Sequence, residues 1–188
     1  MKPINNYESV QASAGEFAKP SAGGYVCKIV NVEDKELDVS TGKGSYLRIE
    51  FDICEGEFAG YYKEQFTKWG GTWNASFIRS YKEKALGMFK HFINCVEKSN
   101  AGFEWSWNEG ELIGKAVGLV LGEEEYINSQ GAVRTKLVVK DIKTADDIRN
   151  KNFKVPEYKK VETDNIAHGT PQMPRFEIVS SDDELPFN

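Results

Sequence analysis

Apolar residues alternate with polar ones along several short segments of the chain, the period of a half-buried β-strand. The clearest case begins at Tyr46, where every second residue from Leu47 to Ile53 is apolar. Other segments rich in β-branched and aromatic residues predict further strands. The five predicted strands are Tyr25–Val32, Tyr46–Ile53, Tyr61–Thr67, Lys115–Glu123 and Val133–Ile142. A hairpin turn at Asn128–Gly131 is expected to join the last two.

A longer period runs through Phe77–Val96, where apolar residues recur every three or four positions. This spacing predicts an amphipathic helix that buries one stripe of side chains. The aromatic residues of the stripe are therefore expected in the core: Phe77, Tyr81, Phe89 and Phe92. Further along, Thr144 is the expected cap of a short last helix, Ala145–Asn150.

The predicted order is three strands, one helix and two more strands. A five-stranded Greek-key barrel of the oligonucleotide/oligosaccharide-binding (OB) type has its helix at this place, although the order alone also fits other α+β sheets. We expect this mainly β domain to span residues 20–154, after a flexible segment 1–19. Residues 155–188 hold four of the six prolines and show no sustained period, which predicts a disordered tail.

The net charge of −5 first argues against a nucleic-acid partner. However, residues 155–188 carry seven acidic and only three basic side chains, so the rest of the chain is close to neutral. The chain lacks both a membrane-spanning apolar run and an N-terminal secretory signal, so we expect a cytoplasmic protein without a membrane partner. Three widely spaced cysteines favour reduced thiols, and we expect neither a metal site nor a cofactor.

Aromatic and basic residues interleave between Phe58 and Phe92, which is typical of proteins that stack bases and contact phosphates of single strands. In OB barrels, the face of the second and third strands and the adjoining loops bind the ligand. The candidate DNA-binding residues are Lys43, Tyr46, Arg48, Tyr61, Lys63, Lys68, Trp69, Trp73, Tyr126, Arg134 and Lys136.

Each of these candidates has a plainer interpretation. Trp69 and Trp73, in a glycine-broken connection, could pack against the protein as well as bind a base. The polar face of the second strand also holds Glu50 and Asp52, which favours ordinary cross-strand pairs. Trp105 and Trp107 are expected to pack against the end of the barrel.

Catalytic signatures are missing from the sequence. Thr41–Ser45 lacks the first glycine of a phosphate-binding loop and its Lys-Ser/Thr pair. There is no nucleophile elbow, and His168 lies in the predicted tail. We therefore expect a protein that is not an enzyme.

The last residues carry the most specific motif. An acidic run precedes two large apolar residues and a proline, at the end of a segment with no core to bury them. Such a motif can dock its apolar residues into a partner's pocket while its acids face a basic rim. The candidate partner-binding residues are Asp182, Asp183, Glu184, Leu185, Pro186 and Phe187. A solvated acidic end is the alternative.

This tip, following an aromatic and basic five-strand domain, resembles the single-stranded DNA-binding proteins of bacteria and their phages. Glu184 stands where that family commonly has Asp, and Asn188 follows the phenylalanine that usually ends the chain. The segments Pro20–Ile29 and Arg134–Pro156 also look like proteins of phage replication and recombination modules.

The resemblance implies a protein that binds single-stranded DNA with little sequence preference in a bacterial host cell. Its tail would recruit replication, recombination or repair proteins. An OB-fold adaptor for proteins or oligosaccharides, an RNA-binding protein and an unrecognised phage enzyme are the alternatives. A homo-oligomer fits the composition as well as a monomer does.

Overall fold

The computed structural model describes residues 18–36 and 44–161 of the chain. Within these residues there are five strands, three α-helices and two short 3₁₀ turns. In chain order the strands and α-helices are β1 (Gly23–Lys35), β2 (Tyr46–Ile53), α1 (Tyr61–Trp69), β3 (Ser76–Ser80), α2 (Leu86–Ser99), β4 (Ala116–Ile127), β5 (Val133–Lys143) and α3 (Ala145–Arg149). The 3₁₀ turns are Glu83–Ala85 and Glu109–Leu112.

The five strands form an antiparallel sheet in the order β3-β2-β1-β4-β5, which confirms a mainly β fold. In the described part of the chain no ladder joins β3 to β5, so the sheet is not closed. The main core lies on one face of the sheet and includes α2. Its largest fully enclosed side chains include Ile29, Ile49, Leu119 and Phe92.

The short helix α3 packs on β1 and β4 and forms a second, smaller core. Gly118 of β4 allows this close approach, because a Cβ there would meet the carbonyl oxygen of Thr144 at 2.4 Å. The predicted cap is confirmed: Thr144 Oγ1 accepts from the amide of Asp147, and the Asp147 carboxylate accepts from the Thr144 amide. This reciprocal arrangement is a capping box.

The predicted strand Tyr61–Thr67 is wrong, because this segment forms α1. Gly60 adopts a left-handed conformation (φ 79°) and turns the chain away from β2. Three aromatic residues of the segment then recur at helical spacing: Tyr62, Phe66 and Trp69. In so short a segment, this spacing is easily confused with the alternation of a strand. The strand that pairs with β2 is instead β3, which comes later in the sequence.

The predicted helix Phe77–Val96 is correct only in its second half. Its first part is β3, in which Phe77 pairs with Ile49 of β2 and enters the core. The helical stripe continues from Phe89 through Val96, where α2 packs against the sheet. Pairing with the edge of β2 therefore outweighs the local helical period over Phe77–Ser80.

The other predicted elements are present with small changes in their ends. β2 matches its prediction, and Gly131 in the turn between β4 and β5 has a positive φ of 78°. Residues 155–161, assigned to the tail from sequence, run beside β4, where Lys159 and Glu124 form an isolated parallel bridge. Among the described helices, none has the length and apolar character that crossing a membrane requires.

Candidate nucleic-acid interface

A cleft of about 660 Å³ lies between α1 and the hairpin of β4 and β5. Three candidates from the sequence line it together: Tyr61 from α1, Tyr126 from β4 and Lys136 from β5. We call it the α1–hairpin cleft. It adjoins a second hollow of about 380 Å³ along α1, which shares Tyr61 and Tyr62 with it and is also lined by Trp69.

Trp69 is the most exposed aromatic side chain of this surface, with 74% of its area accessible. Phe66, one turn earlier, is 44% exposed and contacts the Trp73 ring at 5.7 Å between centroids. Trp73 instead packs partly buried, and its indole N–H donates to the Phe51 carbonyl oxygen at 3.0 Å. The two tryptophans therefore differ: Trp69 offers a free ring, whereas Trp73 is part of the packing.

A buried carboxylate fixes where α1 begins. Asp52 is 6% exposed, and its carboxylate accepts the amide N–H groups of Tyr62 (3.0 Å) and Lys63 (3.2 Å) in the first turn of the helix. It also accepts from the Ile53 amide at 2.9 Å. A carboxylate at a helix N-terminus satisfies free donors and opposes the helix dipole. Asp52 thus positions the aromatic face of α1, a role that the sequence pattern of β2 did not indicate.

The aromatic rings at the base of α1 support one another. Tyr61 and Tyr62 meet edge to face at 5.2 Å, and Tyr62 packs on Phe51 at 5.7 Å. Burial raises the pKa of the Tyr62 hydroxyl. Tyr61 is consequently held by neighbours while part of its ring faces the cleft.

The opposite wall of the cleft comes from the hairpin and from the segment that follows α3. The Lys136 ammonium lies 5.5 Å from the centroid of the Tyr126 ring, a cation–π arrangement. Tyr158 lines the same wall, with its hydroxyl donating to Glu125 at 2.8 Å. Lys19 adds a second cation to the lining, against Glu123 as the acid.

Sequence reasoning did not select Tyr158 and Lys19, because both fell in segments predicted to be flexible. The only sequence signal for Tyr158 is an aromatic residue just after Val155-Pro156, in an otherwise polar stretch. Its contact with β4 depends on chain segments that are far apart in sequence.

Other predicted site residues lie elsewhere. Tyr46 and Arg48 are on the outward face of β2 and do not line the α1–hairpin cleft. Arg48 lies 3.0 Å from Glu50 and 3.6 Å from Glu33, so carboxylates already neutralise its charge. This arrangement matches the plainer interpretation of that face, an ordinary set of cross-strand pairs.

The remaining candidates flank the cleft or fall outside the described residues. Lys63 and Lys68 are exposed on α1, and Arg134 is exposed on β5 opposite Tyr126. Lys43 and the tip Asp182–Phe187 lie outside the described residues. In the part of the chain that the structure covers, no His, Cys, Asp and Glu side chains group in a way that could hold a metal ion.

Comparison with known protein families finds no matching family model, and comparison with curated proteins finds no significant match. The physical character of the α1–hairpin cleft is therefore the main guide to function. It combines exposed flat rings with lysines.

Proposed function

We propose that this chain is a non-enzymatic protein that binds single-stranded DNA in the α1–hairpin cleft, with little sequence preference. The observation that carries the proposal is the row of accessible rings along two adjoining hollows that share Tyr61, from Trp69 in one to Tyr126 and Tyr158 in the other. Unpaired bases present flat faces that such rings can stack on, whatever the base identity. Duplex DNA hides these faces between base pairs, so the cleft favours single strands.

We also propose that the sheet is an OB-type barrel that is open between its edge strands. The order β3-β2-β1-β4-β5 closes into a barrel if β3 meets β5, and α2 lies between β3 and β4 as it does in that fold. Residues of β3 and β5 approach within 8 Å between Cα atoms. The charge of Asp141 on β5 also acts on the pKa of Arg79 on β3, opposing the lowering that burial of Arg79 causes. These observations support a barrel-like curvature that brings the two edge strands near each other without pairing them.

Stacking supplies most of the affinity in this account. Each stacked base contributes about 1–3 kcal/mol. The cleft lining carries two lysines against one glutamate, so few phosphates can be neutralised there. At about −0.7 per phosphate neutralised, the logarithm of the binding constant should fall with the logarithm of salt concentration at a slope of roughly −1 to −2.

The acidic tip, Asp182–Phe187, would recruit replication, recombination or repair proteins, as its resemblance to single-stranded DNA-binding proteins suggests. Its separation from the cleft in sequence lets one chain hold DNA and a partner together. Deletion of residues 182–188 should abolish capture of such partners and leave DNA affinity unchanged or higher. A weaker intrinsic affinity for DNA after this deletion would contradict the proposal that the tip binds partners and the cleft binds DNA.

Tryptophan fluorescence tests the proposed function on the full chain. Oligo-dT should quench the emission, and a Trp69→Phe variant should lose most of that quenching. A Trp107→Phe variant, which removes another exposed indole outside the cleft, should retain the quenching. Equal affinity for duplex and single strands, or no binding to either, would sink the proposal. Tighter binding to oligo-U than to oligo-dT would point to RNA instead.

A further inference from the structure

Another hollow, of about 730 Å³, shares no lining residue with the α1–hairpin cleft. It is bordered by α2, by the start of the Glu109–Leu112 turn and by the ends of β1 and β2. Four aromatic side chains run along it, and we call them the aromatic ladder. The members of the aromatic ladder are Tyr81, Phe89, Trp105 and Trp107.

The rings of the aromatic ladder contact one another in sequence. Tyr81 and Phe89 lie 5.6 Å apart between centroids, Phe89 and Trp105 lie 5.5 Å apart, and Trp105 and Trp107 lie 4.7 Å apart. Burial decreases from Phe89 to Trp107: Phe89 is 8% exposed, whereas Trp107 is 82% exposed. Trp107 was expected to pack against the end of the barrel, and this prediction is wrong. Its indole is instead exposed to solvent at the end of the aromatic ladder.

The backbone at Trp107 makes this display unusual. Its φ of 68° lies in the left-handed region, which a bulky residue seldom occupies without strain. Glycine would fit that conformation better, and the exposed ring gains little from the core. A strained, solvent-facing aromatic residue is consistent with selection for binding rather than for folding.

The charges around the aromatic ladder are mainly negative. Asp34, Glu97 and Glu109 line the hollow, and Lys90 is the basic residue of the lining. Asp34 accepts from the Tyr81 hydroxyl at 2.9 Å, and Glu97 accepts from the Trp105 amide at 3.0 Å, so both carboxylates are held beside the rings. This surface would repel nucleic-acid phosphates and also the acidic tip of the chain itself.

We propose that the aromatic ladder is a docking site for an arginine-containing, partly apolar peptide segment of a partner protein. A guanidinium can stack on the Trp107 indole while its N–H groups pair with a neighbouring carboxylate, a combination that suits arginine better than lysine. Large apolar side chains of the same segment would cover Leu86 and the face of Trp105. The test must distinguish a bound peptide from nucleic acid bound on the same face.

The test uses the full chain and three fluorescein-labelled nonapeptides that share one leucine and one phenylalanine. They differ only in carrying two arginines, two lysines or two glutamates. Fluorescence anisotropy should show the arginine peptide binding about tenfold more tightly than the glutamate peptide, with the lysine peptide between them. Equal binding of the arginine and glutamate peptides, or no binding of the arginine peptide, overturns the proposal.

Variants then locate the site. Trp107→Gly should weaken arginine-peptide binding about tenfold without lowering the melting temperature, because glycine suits the backbone there. Met88→Ala is the control, because it removes an exposed apolar side chain of α2 that does not line the hollow. It should leave peptide binding unchanged. Unchanged peptide binding in Trp107→Gly refutes the site. Weaker oligo-dT binding in that variant would show that this face serves nucleic acid instead.

Discussion

Replacement of Asp52 tests whether one buried carboxylate positions the aromatic face of α1. In Asp52→Ala, the Tyr62 and Lys63 amides lose an acceptor at 3.0 and 3.2 Å, and the Ile53 amide loses one at 2.9 Å. A hydrogen bond to a charged group contributes about 1.5–3 kcal/mol, and loss of a helix cap costs roughly 0.5–2 kcal/mol. Water can reach the first turn of α1 and recover part of this loss. We expect the free energy of unfolding to fall by about 2–4 kcal/mol in the alanine variant.

Asp52→Asn keeps one acceptor oxygen but removes the charge that faces the helix dipole. Its loss should be smaller, about 1–2 kcal/mol. Glu50→Gln is the matched control, because Glu50 lies on the same face of β2, where it pairs with Arg48 and accepts from the Asn31 side-chain amide, two partners that glutamine can partly keep. That change should cost less than about 1 kcal/mol.

Urea denaturation supplies the free energies, and hydrogen exchange followed by NMR reports on the amides of Tyr62 and Lys63. Both amides should lose protection in Asp52→Ala while those of β4 keep theirs, at a denaturant concentration well below the unfolding midpoint. The reasoning is refuted if Asp52→Ala costs no more than Glu50→Gln, or if protection at the start of α1 does not change.

Three further predictions follow from packing and from the thiols. Gly118→Ala should lower the free energy of unfolding by about 1–3 kcal/mol in urea denaturation, because its Cβ would collide with the Thr144 carbonyl. Trp73→Phe should cost about 1–2 kcal/mol by the same measurement, since it loses a partly buried hydrogen bond, and should change oligo-dT affinity little. Burial raises the pKa of both Cys27 and Cys54, so iodoacetamide at neutral pH should label exposed Cys54 slowly, and faster as the pH rises. Mass spectrometry should find Cys27 labelled only on unfolding.

Local signals in the sequence were sufficient for some elements and not for others. The strict alternation of β2, the turn before Gly131 and the cap at Thr144 each depend on neighbouring residues, and the structure confirms all three. The segment Tyr61–Thr67 could not be assigned in this way. Its helix depends on a carboxylate from β2, and the strand partner of β2 comes from residues that have a helical period.

The residues of the candidate site also differ in how well local sequence signals could identify them. Residue type alone was enough to select Tyr61, Trp69 and Tyr126, which line the α1–hairpin cleft or the hollow beside it, although Tyr61 lies on a helix and not on the predicted strand. Arg48 has the same residue type as a phosphate contact, but its neighbours on β1 and β2 are glutamates. Tyr158 reaches the cleft only because the chain returns beside β4 after α3. Contacts between segments that are far apart in sequence cannot be recognised from local composition.

The affinity of two single variants for oligo-dT tests the central claim most directly. Trp69→Ala removes the most exposed ring of the hollow that adjoins the α1–hairpin cleft, and Arg48→Ala removes the basic residue of β2. We predict that Trp69→Ala weakens binding about tenfold or more, in line with the loss of one stacked base. Arg48→Ala should stay close to the wild-type affinity. A larger loss in Arg48→Ala than in Trp69→Ala would place the DNA on the β2 face and contradict the account.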